Sequence, residues 1–298
     1  MSELKIPSEI FGDIKVDKTW NYNNFITIVK DKLESVENEM KVTFTQQEIE
    51  NNFTPKNNVL SFLKIDLSKI RVIILGQDPY PERGVATGRA FEVKGLKSWC
   101  EKEGDKMNYS LKNILKAIYI AEVKNASKET TIEDVRKEIE NGTFNILSPK
   151  KWFKKMENQG VLFLNTSFTC KVGVSNYHRI YWEDFTKTII QYLINYLIEN
   201  KDNKNKNKEF YWFLWGDSAQ SIFLEVVEKL KKDNPSRSTD INDKNKSIKC
   251  CHPRNPSFIN EKNGFEATKG LINWLGTHPV RDESSVVTNN TGKQLACL

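Results

Sequence analysis

Four clusters of chemistry-bearing residues in this chain each stand directly after a short apolar run. Gly76-Gln77-Asp78-Pro79-Tyr80-Pro81 follows Val72–Leu75, and Asn165-Thr166-Ser167-Phe168-Thr169 follows Val161–Leu164. Trp215-Gly216-Asp217-Ser218 follows Phe210–Leu214, and His252-Pro253-Arg254-Asn255-Pro256-Ser257 follows Ile248–Cys251. Singly, each has an ordinary reading: Asp78-Pro79 as turn chemistry, Asn165 as a cap, His252-Pro253 as the start of a loop. Together they bring a carboxylate, a phenol, a carboxamide and an imidazole to corresponding ends of one sheet, which independent turns rarely do. Ligands of open parallel sheets bind beyond the carboxyl ends of the strands, so the four clusters define one candidate mouth. His178 and His278 lack such a setting and are expected at the surface.

The elements that must position these groups follow from periodicity. The four apolar runs have the length and the β-branched and aromatic content of buried strands. Around them lie helical patterns: Phe25, Ile28, Val29, Leu33 and Val36 on one face before the first run, then Leu111, Ile114, Leu115 and Ile118. Phe185, Ile189, Tyr192, Leu193 and Tyr196 precede the third strand, and Ile222, Val226, Val227 and Leu230 precede the fourth. Alternation of strand and helix implies an α/β fold: a single domain with a central four-stranded, mainly parallel twisted sheet flanked by helices. The domain is expected to span 1–282, with surface insertions near 124–143, 201–208 and 232–247, and a disordered tail over 283–298. Gly142 is the expected helix stop in the first insertion, and the other two, rich in Lys and Asn, are expected as mobile loops.

Composition bounds the rest. The 298 residues carry 45 Lys and Arg against 39 Asp and Glu, a formal charge of +6 that is compatible with a polyanionic partner. Five cysteines without a CxxC pair match neither a disulfide framework nor a zinc site, which implies a reducing compartment. Met1 to Asp13 lacks the apolar core of a signal peptide, and no stretch approaches the ~20 apolar residues of a membrane span. A cytoplasmic protein without membrane association is expected.

The ordered motifs resemble those of the family 1 uracil-DNA glycosylases, whose signatures are GQDPYH, LLLN and HPSPL after the first, second and fourth strands. The likeness runs from about Trp20 to Asp282 and extends to Gly88-Arg89-Ala90-Phe91, SLKNIL at 110–115, GVLFLN at 160–165, WEDF at 182–185, FLWG at 213–216 and PVRD at 279–282. The resemblance implies a monomeric enzyme that extrudes a nucleotide from DNA and hydrolyses the bond between sugar and base. It assigns Asp78 to water positioning and to the cationic sugar, and His252 to a hydrogen bond on the pyrimidine O2 where leaving-group charge collects. Asn165 would read N3–H and O4, Phe91 would stack on the ring, Tyr80 would exclude a 5-methyl group, and the Gln77 N–H would be a further donor. No metal or cofactor is implied, since water is the nucleophile.

The chain also departs from the family pattern. Pro81 stands where the family has histidine, which implies weaker or differently tuned activity. HPRNPSF replaces HPSPLS, so the leucine that fills the vacated base stack has no clear counterpart; Phe258 is the nearest apolar candidate and Ser257 the gapless one. Arg254 is expected to reach a phosphate. Met107-Asn108-Tyr109-Ser110 replaces a proline-rich loop and leaves Ser110 as the expected phosphate contact. These changes fall on DNA gripping and the pocket rim, so the resemblance implies uracil as the base and leaves two alternatives. One is a glycosylase of the same fold acting on a modified cytosine or other pyrimidine in foreign DNA; the other is a non-catalytic DNA-binding accessory protein. A protein inhibitor or replication partner is left open.

Overall fold

In a computed structural model, residues 4–101, 106–199 and 209–277 are described. The chain opens with a hairpin of β1 (Leu4–Ile6) and β2 (Ile14–Val16), followed by α1 (Phe25–Thr43), α2 (Gln46–Asn52) and the short β3 (Phe53–Thr54). The first core strand, β4 (Val72–Gly76), is followed by α3 (Tyr109–Glu122), α4 (Ile132–Glu140) and α5 (Pro149–Asn158). Then come β5 (Val161–Asn165), β6 (Cys170–Lys171), α6 (Arg179–Glu199), β7 (Phe210–Trp215), α7 (Asp217–Asp233), α8 (Ser238–Lys244), β8 (Asn245–Cys250) and α9 (Phe265–Thr268).

The central sheet has the order β5-β4-β7-β8, and all three pairings are parallel. Its register pairs Gly76 with Asn165, and Leu75 with Leu164 and Leu214, so the ends of β4, β5 and β7 stand level. Both faces are covered. Ile73, Leu75, Leu162, Leu164, Trp212 and Leu214 face the layer of α1, α6 and α7, while Val72, Ile74, Val161, Phe163, Phe213 and Trp215 face α3, α5 and α9. Every residue of β4 and β5 is buried, and each large aliphatic side chain so placed contributes about 1.5–3 kcal/mol relative to exposure. That burial makes the strand ends a rigid platform.

The helices follow the expected faces, with one exception: Phe25, Val29, Leu33 and Val36 are buried, whereas Ile28 is 40% exposed. The segment 124–143 contains α4, whose Val135 and Arg136 are buried and which ends before Gly142 at φ +75°. The expectation of a mobile loop over 232–247 is corrected. It holds the end of α7, a 3-10 turn at Pro235–Arg237, α8 and the first residues of β8. Burial of Ile241 and a hydrogen bond from Trp212 Nε1 to Asn245 Oδ1 (2.9 Å) anchor it. The fourth strand consequently begins at Asn245, before the apolar run that signals it. The insertion at 201–208, His278 and the tail at 283–298 lie outside the described residues. His178 is not a surface residue: it is fully buried against Phe53, at a ring separation of 4.2 Å, with Nδ1 3.0 Å from Thr169 Oγ1.

Candidate active site

The turn after β4 is locked by its neighbour. The Gln77 carbonyl accepts from the backbone N–H groups of Thr166 and Ser167, each at 3.0 Å, and from Thr166 Oγ1 at 2.6 Å. Thr166 is itself tied to α6 through Thr186 Oγ1, which donates to its carbonyl at 2.8 Å. Gly76 is required here by close approach: a Cβ would sit 2.7 Å from Asn165 Oδ1 and 3.1 Å from the Phe91 ring. The Asn165 carboxamide and the Phe91 ring therefore both close on the backbone of Gly76.

Asp78 is half-buried and held from three directions. Ser175 Oγ lies 2.9 Å from both carboxylate oxygens, the Asn176 N–H donates a short hydrogen bond to Oδ2, and Gln77 Nε2 donates to Oδ1 at 3.1 Å. Burial pushes the Asp78 carboxyl above the usual aspartate range, while the bonds from Asn176, Ser175 and Gln77 pull it back. Sequence reasoning does not single out Ser175 and Asn176. Their only signal there is that a small hydroxyl and an Asn able to adopt φ +63° lie together about ten residues beyond Asn165.

Tyr80 donates from its hydroxyl to the Phe91 carbonyl at 3.2 Å, and burial raises its pKa, so the phenol stays neutral. Phe91 holds φ +65° and is 8% exposed, its ring 5.3 Å from Trp215 and 6.0 Å from His252. Asn165 is 5% exposed, and no group among the described residues hydrogen-bonds its carboxamide. Asp78, Tyr80, Phe91, Asn165 and His252 thus belong to one carboxyl edge, with Phe91 packed between the β4–β5 groups and the imidazole.

His252 is half-buried after β8. Gly216, at φ +91°, makes room for it: a Cβ there would lie 3.0 Å from His252 Cβ. The Arg254 N–H donates to His252 Nδ1 at 3.1 Å, which places the ring proton on Nε2. Burial first, and the Arg254 charge second, lower the His252 pKa and favour the neutral ring. Cys251, the preceding residue, has its thiol pushed up to about 11 by burial and by Glu261, so no thiolate competes at this position.

The expected DNA-contacting residues divide. Arg254 and Ser257 are exposed. Ser110 is 7% exposed in the first turn of α3, capped by Asn108, whose side chain accepts from the Leu111 N–H at 3.0 Å; the open residue of that turn is Tyr109, at 75%. Phe258 is not a wedge in this structure. It is fully buried, edge-on to Trp215 at 5.0 Å, because the 3-10 turn Pro256–Asn260 directs it into the core beneath the loop. Among the described residues no group of His, Cys, Asp and Glu could hold a metal ion, and no helix is long and apolar enough to cross a membrane.

A parallel sheet thus carries a carboxylate, a carboxamide and an imidazole at the carboxyl ends of several strands. No family model matches the chain. It is 28% identical over 204 residues to the uracil-DNA glycosylase of Fusobacterium nucleatum, covering 67% of this chain and 73% of that protein. It is 29% identical over 228 residues to the uracil-DNA glycosylase of Saccharomyces cerevisiae, covering 75% of this chain and 52% of that one. The chain therefore spans about half the length of the yeast relative. The crystal structure of a wild-type UNG from Nitratifractor salsuginis shares the fold, with a TM-score of 0.60 at 21% identity, covering 87% of this chain and 92% of that one. The sequence is thus similar to those of uracil-DNA glycosylases over most of its length, and the fold to that of a solved UNG.

Proposed function

We propose that the protein hydrolyses the N-glycosidic bond of uracil extruded from DNA, leaving an abasic site. The observation that carries this reading is the neutral His252, with its proton on Nε2, on the same sheet edge as the restrained Asp78 carboxylate. As the bond between C1′ and the base nitrogen breaks, its electron pair moves into the pyrimidine and positive charge develops on the sugar. Asp78 stabilises that cation and accepts the proton shed by the water as its oxygen bonds to C1′, and the base leaves as an anion that takes its proton from solvent. His252 Nε2–H donates to the base O2, where negative charge gathers; a preorganised donor of this kind contributes about 3–4 kcal/mol. Asn165 pairs with N3–H and O4, the Gln77 N–H adds a donor, and Phe91 stacks on the ring.

Tyr80 supports uracil over thymine. Its hydroxyl is tethered to the Phe91 carbonyl, so the ring cannot swing away cheaply to admit a substituent at C5. The test is incubation with single- and double-stranded oligonucleotides carrying deoxyuridine. Release of uracil is expected, and absence of abasic product with enzyme in excess would overturn the reading.

One observation favours a second substrate. The Asn165 carboxamide has no hydrogen-bonding partner among the described residues to fix its orientation, and a rotated amide presents the pattern that suits N3 and N4 of a cytosine. Mass spectrometry of bases released from DNA containing small modified cytosines separates the two; release of uracil alone eliminates this second activity.

A further inference from the structure

Beside the candidate site runs a groove of about 1000 Å³. One wall is the loop from Arg83 to Lys97, which starts two residues after Pro81 and carries Phe91; the others are Phe53–Asn58 and the start of α5. Seven cations line it: Lys56, Arg83, Lys94, Lys97, Lys150 and Lys151 are exposed and in no ion pair among the described residues, and Arg89 is paired with acids below. Glu92 is the sole carboxylate on the described wall, and it is 7% exposed and bound by Arg89 Nη1 at 2.8 Å. Arg89 also clamps Glu157, with Nη2 donating at 2.8 Å. The acids beneath the groove are thus neutralised internally, and the lysines above them are not.

A second feature points the same way. α5 is a ten-residue helix whose N-terminus opens on this groove, with Ser148 making no side-chain cap and Pro149 offering no N–H. Uncapped first-turn amides and the positive end of the helix dipole favour a bound anion. Backbone donors and flexible lysines together suit phosphate oxygens better than a lone carboxylate. Position identifies the phosphate's source. Arg83 is five residues from Asp78, hence at most about 18 Å away at about 3.6 Å per residue. At roughly 3.4 Å per phosphate along one strand, the groove begins within about five phosphates of the reacting nucleotide. Its α5 wall belongs to the helix that leads into the edge strand β5, whereas the His252 loop follows the other edge strand, β8.

We propose that this groove binds the phosphodiester backbone of the DNA strand flanking the extruded nucleotide. The proposal rests on the glycosylase reading for its choice of ligand. It makes the groove a second DNA track, separate from Arg254 and Ser257.

The test uses the full chain with Lys94, Lys97, Lys150 and Lys151 all changed to Glu. A control carries the same change at Lys30, Lys229, Lys231 and Lys232 on α1 and α7. Anisotropy with single-stranded oligonucleotides of about 5 and about 25 nucleotides bearing a central abasic analogue is measured across a salt series. The groove variant is expected to bind the long strand tenfold or more weakly, with its salt slope falling by about 0.7 for each phosphate that it no longer neutralises. Its binding of the short strand and its kcat on deoxyuridine DNA should stay within about twofold of the parent, since these lysines touch no reacting atom. An unchanged salt slope, or an equal weakening in the control, overturns the proposal. Weaker binding of inorganic phosphate alone, with long-strand affinity unchanged, also overturns it and identifies a small-anion site. A parent that releases no base would sink the functional reading but leave the binding comparison standing; normal base release with an unchanged slope sinks the groove alone.

Discussion

The two halves of the mouth are built differently. At the β4–β5 side, Asp78 is held by Ser175, Asn176 and Gln77, the Gln77 carbonyl takes three bonds from the end of β5, and Tyr80 is tethered to Phe91. At the β8 side, the loop from Arg254 to Ser257 is exposed and is pinned mainly from below. Asn113 Nδ2 donates to the Pro253 carbonyl at 2.8 Å, and Phe258 is buried against Trp215. Asp78, proposed for the water and the sugar cation, is thus held on three sides, while Arg254 and Ser257, expected to grip DNA, sit on an open loop that follows His252 and whose apolar side chain, Phe258, is turned inward. Preorganisation matters most where charge develops, so sequence drift costs least on the gripping side.

The contrast can be broken at several points. The largest expected effect is at the imidazole: His252→Leu should lower kcat by about 10²–10³-fold while changing DNA affinity little. Steady-state kinetics and anisotropy on one preparation check this, and a parallel drop in binding would place His252 in the grip instead. Next, Phe258→Ala should cost about 3–5 kcal/mol of stability, as expected for an aromatic ring removed from a core, in a urea titration. An unchanged midpoint with weakened DNA binding would restore the residue as a wedge. Gly76→Ala should lower kcat/KM by about 10²-fold, because its Cβ displaces Asn165 by a fraction of an ångström to an ångström. Ser175→Ala has a smaller effect with a distinct signature. Its hydroxyl lowers the Asp78 pKa against the raising effect of burial, so removing it should move the acid limb of the pH–rate profile to higher pH. A profile that drops in height without shifting would make Ser175 a packing residue only.

The smallest effect sharpens the same half from behind. Burial lowers the His178 pKa from 6.5 to about 4, so between those values the unfolded chain binds the extra proton and stability falls as pH falls from 6.5 toward 4. His178→Phe should flatten the pH dependence of Tm across that window, leaving Thr169 Oγ1 its bond from Trp182 at 2.7 Å.

The strand ends are legible in the sequence because β4 and β5 are buried on both faces and read as uninterrupted apolar runs. β8 alternates instead, with intermediate or exposed residues between Asn245 and Cys250, so only its last part stands out. α8 is hidden by its Lys, Asn and Asp content, since a single buried residue, Ile241, carries its packing. Phe258 misleads because an apolar side chain in a polar loop reads equally as an exposed wedge or as a plug, and burial alone decides between them. Ser175 and Asn176 escape notice for another reason: they reach Asp78 across nearly a hundred residues of chain, and small polar residues in a turn advertise no partner.

The β4–β5 side, in this view, holds the proposed carboxylate ready for the reaction. Single-turnover release of uracil from a deoxyuridine oligonucleotide, with the parent and Asp78→Asn side by side, tests that claim most directly. The parent is predicted to release uracil, and the variant to bind the same DNA comparably but release the base at least about 10²-fold more slowly. No uracil from the parent with enzyme in excess, or equal rates from the two proteins, would contradict it.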